Sequence, residues 1–112
     1  MADEWMNGTC EACEGGIGKE GLERILQALE QLSGWEYKTE TDELRKTFRF
    51  KNFHQTMAFV NAVAWIAHQQ DHHPEMIVGY KTCEIAYTTH SAGGVTRNDF
   101  ICAAAINRLC DV

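Results

Sequence analysis

A chain of 112 residues that is 45% hydrophobic, with five Phe, three Trp and three Tyr, is long enough for one packed domain and too apolar for a disordered one. Its formal charge of −6 argues against direct contact with nucleic acid, whose phosphates require clustered Lys and Arg. No apolar run approaches the roughly 18 residues that cross a bilayer, and the acidic start Met1-Ala2-Asp3-Glu4 lacks the apolar stretch of a secretory signal, so a cytoplasmic protein is expected.

Residues 1–18 are polar, carry Gly8, Gly15, Gly16 and Gly18, and show no sustained period, which predicts a flexible N-terminal arm ahead of a domain over 19–112. The arm holds Cys10-Glu11-Ala12-Cys13, half of a zinc-ribbon spacing. Its second half is missing, because Cys83, Cys102 and Cys110 are scattered. Five cysteines without an extracellular framework read as reduced thiols.

From Lys19 the pattern becomes periodic. Leu22, Ile25, Leu26, Leu29 and Leu32 recur at three and four residues, the stripe of an amphipathic helix that Ser33-Gly34 ends. Trp35 to Thr41 predicts a strand, Asp42-Glu43 a turn, and Leu44 to Lys51 a second strand. There Leu44, Lys46, Phe48 and Phe50 share one face, with Lys46 the misfit. Asn52 is placed to cap a helix and Gln55 to complete a capping box. That helix carries Phe53, Met57, Val60, Ala64 and Ala67 along one side, flanked by Phe59, Val63, Trp65 and Ile66, so burial on more than one side is expected. Pro74 should stop it near His72.

Met76–Val78 and Tyr80–Thr89 read as strand, bent at Gly79, and Ser91 to Gly94 as a loop. Thr96 is the expected N-cap of a last helix that uses Phe100, Ala103, Ala104 and Leu109, with Asp99 at N3. Hairpin strands with separate helices predict an α+β fold, an antiparallel sheet covered on one face.

Three of the five histidines lie in Asp71-His72-His73-Pro74 and Thr88-Thr89-His90. His54, beside a helix cap, reads as a surface residue. Two chemistries fit the others. His68, four residues before His72, could join His72 and His90 around a zinc ion that activates water. Alternatively, two imidazoles act without metal as general acid and general base, and a third orients the substrate. The absence of H-E-x-x-H favours the metal-free reading.

The run Phe48-Arg49-Phe50-Lys51-Asn52-Phe53, then Asp71-His72-His73-Pro74-Glu75, then Thr89-His90 with Gly93-Gly94-Val95-Thr96 and Asp99, resembles the pterin-4a-carbinolamine dehydratases. The likeness spans about Leu22 to Leu109 and includes Gly34-Trp35. It implies a four-stranded antiparallel sheet with three helices on one face, assembled as dimers or tetramers. The implied reaction dehydrates 4a-hydroxytetrahydropterin to the quinonoid dihydropterin without a metal or other cofactor, in the recycling of tetrahydrobiopterin. It assigns His72 and His90 as the acid/base pair and His73 as the orienting residue. Asp71, Thr88, Thr89 and Ser91 then contact the pterin, and Asp99 either joins them or serves as a cap. Met76 stands where many members have Trp or another large residue, and His68 where an acidic residue is common. Some members also serve as dimerisation cofactors of a transcription factor, which makes a protein-binding role the alternative.

Overall fold

The computed structural model describes residues 8–10 and 18–110, so most of the N-terminal arm and Cys13 of the C-x-x-C pair lie outside the described residues. Helix α1 (Leu22–Leu29) is followed by strands β1 (Glu36–Lys38) and β2 (Glu43–Arg49) and by helix α2 (Phe53–Gln70). Strands β3 (Glu75–Val78) and β4 (Thr82–Tyr87), a 3-10 turn at His90–Ala92 and helix α3 (Arg97–Cys110) complete the chain. The four strands form one sheet in the order β1-β2-β4-β3, every neighbouring pair antiparallel. The expected α+β fold is the observed one.

Strand alternation divides the sheet. Tyr37, Leu44 and Tyr87 are successive partners across it, as are Lys46 with Ile85 and Phe48 with Cys83. Leu44, Phe48, Cys83, Ile85 and Tyr87 are buried with Ile25 and Ala28 of α1, Phe59 and Val63 of α2, and Phe100, Ala103 and Ile106 of α3. The three helices therefore share one face of the sheet. Phe59 packs against Phe48 at 4.6 Å and Phe50 at 5.0 Å between ring centroids, contacts that each add about 0.5–1.5 kcal/mol beyond area burial.

Several boundaries and faces differ from expectation. Helix α1 gives way after Leu29 to tight turns that continue to Leu32, and Gly34 at φ 83° completes the exit. Ile25, Ala28 and Leu32 are buried, whereas Leu22 and Leu26 face outward. Lys46 is accommodated on the core face because its Nζ donates to Ser33 O and Asn107 Oδ1, both at 2.8 Å. Asn52 Oδ1 accepts from the Gln55 amide at 2.8 Å, while Gln55 Oε1 reaches one residue past the cap to the Lys51 amide at 3.1 Å.

On α2 the buried line is Thr56, Phe59, Val63 and Ala67, not the Phe53-Met57-Val60-Ala64 line, because Thr56 anchors the helix start. Its Oγ1 donates to Asn52 O or Tyr80 O, each 3.0 Å away. Gly79 makes the β3–β4 hairpin turn through its amide to Thr82 O at 2.8 Å, so Tyr80 and Lys81 leave the strand. Helix α3 buries Ile101 and Ile106, and Leu109 is exposed.

Candidate active site

Three chain segments meet at one end of the β3–β4 pair. Helix α2 ends at Asp71, which adopts the left-handed conformation (φ 49°, ψ 42°) and donates its amide back into the last turn. The His72 amide reaches Ala67 O at 3.1 Å. Pro74 then hands the chain to β3, whose first residue, Glu75, pairs with Ala86 near the end of β4. Thus His72-His73 arrives from a helix end and Thr88-Thr89-His90 from a strand end, on adjacent strands.

His72 is buried, 8% exposed, and its ring stacks on Tyr87 with centroids 5.3 Å apart. Its Nε2 lies 2.6 Å from Asp99 Oδ1. The other carboxyl oxygen of Asp99 accepts from the Thr96 amide at 2.8 Å and from Thr89 Oγ1 at 2.9 Å. Because the Thr89 hydroxyl hydrogen goes to Asp99, the 2.8 Å contact between Thr89 and Thr96 has Thr96 as donor. A carboxylate held by donors at Oδ2 accepts at Oδ1 as well, so Nε2 of His72 carries its hydrogen. Burial alone would lower the His72 pKa, but the hydrogen bond and charge of Asp99 outweigh it and raise the imidazole above its ordinary value.

A cleft of about 480 Å³ opens beside this network, lined by Thr41, Glu43, Arg45, Glu75, Thr88, His90, Gly93 and Gly94. One wall is tied down by Asp42. Its backbone carbonyl accepts from Thr88 Oγ1 at 2.8 Å, and its carboxylate accepts from the Val95 amide at 3.0 Å and pairs with Lys19 at 2.5 Å. Burial would raise the Asp42 carboxyl, but the Lys19 and Val95 hydrogen bonds outweigh it and hold it below its usual range. Gly94 must be glycine here, since an added Cβ would lie 2.7 Å from the Asp42 carboxyl carbon. Glu43 pairs with Arg45 at 3.0 Å, and Arg45 also binds Glu84, which places both signs of charge at the cleft.

The sequence-predicted residues therefore separate by position. His90 and Thr88 line the cleft. His73, Asp71 and Ser91 are exposed and do not line it. Thr89 and Asp99 are buried behind it and hydrogen-bond to each other, which gives them the task of holding His72. The zinc arrangement is not formed: His68 is exposed with its ring 5.7 Å from that of Trp65, and no three His, Cys, Asp or Glu side chains gather around a metal position among the described residues. Sequence reading missed Thr41, Glu43, Arg45 and Glu75 as parts of the cleft, Asp42 as the tie that holds its wall, and Tyr87 as the platform for His72. Tyr87 carried only the signal of core alternation, and Asp42 that of a turn.

Comparison with known proteins identifies the family. The family model described as Pterin 4 alpha carbinolamine dehydratase matches residues 20–109. A provisionally named pterin-4-alpha-carbinolamine dehydratase of Nitrosospira multiformis is 51% identical over 98% of this chain and 96% of its own length. One from Nitrosomonas eutropha is 53% identical over 89% of this chain and 88% of its own. The crystal structure of a transcriptional coactivator/pterin dehydratase from Brucella melitensis superposes with a TM-score of 0.79 at 29% identity, covering 82% of this chain and 98% of that one. A pterin dehydratase-like protein described as a RuBisCO assembly factor in the alpha-carboxysome gives 0.59 at 25% identity, over 68% and 88% of the two chains. With its helices, sheet and match over residues 20–109, the chain belongs to the pterin 4 alpha carbinolamine dehydratase family.

Proposed function

We propose that this protein is a cytoplasmic dehydratase that removes water from 4a-hydroxytetrahydrobiopterin, using its histidines and no metal, in tetrahydrobiopterin recycling. The observation that carries the reading is the pairing of a buried, carboxylate-held His72 with a cleft lined by His90. The C4a hydroxyl is a poor leaving group unless protonated, and the N5 proton must depart as the C4a–N5 double bond forms. His72, raised by Asp99, suits the proton donor: protonated, it still offers Nδ1–H after Nε2–H is committed to Asp99. His90 takes the N5 proton. The hydroxyl leaves as water, and the two transfers leave the pair ready to exchange its proton with solvent. His73, Ser91 and Asp71, all exposed, orient the pterin together with Thr88.

An initial-rate assay of the purified protein on 4a-hydroxytetrahydropterin tests this. His72→Ala and His90→Ala should each lower turnover by about 10²- to 10⁴-fold, the usual contribution of a positioned acid or base. Activity unaffected by both changes would sink the assignment.

A protein-binding role is the second reading. Phe53 is 49% and Trp65 61% exposed on α2. Homo-oligomerisation or a protein partner would cover these side chains, and the relatives described as a transcriptional coactivator/pterin dehydratase and as a RuBisCO assembly factor point the same way.

A further inference from the structure

One pair of side chains takes no part in the proposed chemistry. Cys10 Sγ lies 3.6 Å from Cys102 Sγ, across 92 positions of sequence. Cys10 is held there from two helices: its amide donates to Gln70 Oε1 of α2 at 2.7 Å, and its thiol to Asn98 O of α3 at 3.6 Å. Cys102 is fully buried on α3, one turn after Asp99, while Cys10 is partly exposed. Neither is in a disulfide. A disulfide needs its sulfurs at about 2.05 Å, so a shift of about 1.5 Å in the chain before α1 would close the bond.

We propose that Cys10 and Cys102 form a reversible disulfide under hydroperoxide stress, fastening the N-terminal segment to α3 directly behind His72. The partly exposed Cys10 thiolate attacks the peroxide, the O–O bond breaks, and Cys10 becomes a sulfenic acid as the first water leaves. The Cys102 thiolate then attacks the Cys10 sulfur, the S–O bond breaks, and hydroxide departs with a proton as the second water. Two thiols and one hydrogen peroxide thus give one disulfide and two waters. Cys102 is suited to the second step. In the reduced protein the hydrogen bond with Cys10 lowers its pKa most, and after Cys10 is oxidised the charge of His72 and a hydrogen bond with Tyr87 still act against burial, with the two sulfurs already adjacent. Cys83, by contrast, is buried and its thiol is pushed up by that burial.

The test treats the full chain with hydrogen peroxide, blocks remaining thiols, and digests without reductant after Glu, Lys and Arg, which places each of the five cysteines on its own peptide. The expected product links residues 5–11 to residues 98–108, with an intact mass about 2 Da lower, and dithiothreitol reverses it. The linked protein should melt roughly 5 °C or more above the reduced one. Cys13→Ser should retain the link, and Cys10→Ser, a change at a partly exposed site, should abolish it without unfolding the chain. A link from Cys10 to Cys13, a link between other cysteines, or five alkylatable thiols after treatment would overturn the proposal.

Discussion

At the scale of single residues, the site depends on how Asp99 divides its two oxygens between backbone and imidazole. The same carboxylate caps α3 through the Thr96 amide and holds His72. In an unfolded chain an imidazole titrates near 6.5, and in the fold His72 keeps its proton to higher pH. A raised folded value means that the stabilisation from this pair is complete below about pH 6.5 and is lost as pH rises through the folded value. Urea midpoints measured from about pH 5 to 9 should therefore fall on the alkaline side, and Asp99→Asn should flatten that fall. The same variant should let the His72 titration drop, because burial is then opposed only by the weaker charges of Cys102 and Asp71, and should slow turnover about tenfold or more. An NMR titration of His72 left unchanged by Asp99→Asn would contradict this role.

From sequence Asp99 reads as a cap or as a pterin contact; the cap forms, and the same carboxylate also holds His72, which the sequence does not indicate. Spacing alone gives the cap: Thr96 and Asp99 stand three apart. It cannot show that α3 crosses behind the end of α2, which brings His72 to the same carboxylate from 27 positions away. The family resemblance names His90 and Thr88 as site residues, and both line the cleft at a strand end. Thr89 was read with them, since neighbours in a short polar run look alike until the chain's turn assigns their faces.

At the scale of elements, the cleft wall is a contact between the β1–β2 turn and the Gly93-Gly94 loop. The Thr89–Gly94 backbone bridge and Gly93 at φ 80° bend that loop toward Asp42. Gly94→Ala would push a methyl group into the Asp42 carboxylate and should cost about 1–3 kcal/mol, read as a lower denaturant midpoint at constant slope. Activity should fall further than stability explains, because Thr88 is held by the carbonyl of the same Asp42. An alanine variant with unchanged midpoint and rate would show that the wall yields without consequence.

The helices and strands were found in the right order, while the side of α2 that is buried was not. Apolar residues nearly encircle that helix, so hydrophobic periodicity leaves its orientation open. Thr56 settles it: a polar residue whose hydroxyl has Asn52 O and Tyr80 O within reach can be fully buried, and Phe59, Val63 and Ala67 follow on the same line. Lys46 illustrates the same limit on a strand. Its position among core residues was visible, and its acceptors, Ser33 O and Asn107 Oδ1, were not.

At the scale of the whole molecule, the sheet and three helices bury one continuous core, yet α2 keeps Phe53 and Trp65 in water and β3 keeps Ile77 and Val78 there. An assembly that covers α2 should respond to Trp65→Glu with a lower mass by sedimentation and an unchanged circular dichroism spectrum. An unaltered sedimentation mass would remove α2 as the contact.

The most direct test of the central claim, that His72 and His90 work as one acid/base pair on a pterin carbinolamine, is a rate comparison of the wild-type chain, both single alanine variants and the double variant on the same substrate. Residues that serve one step as a unit should give single losses of about 10²- to 10⁴-fold and a double loss close to that of the slower single variant. Wild-type turnover in either single variant would contradict the account.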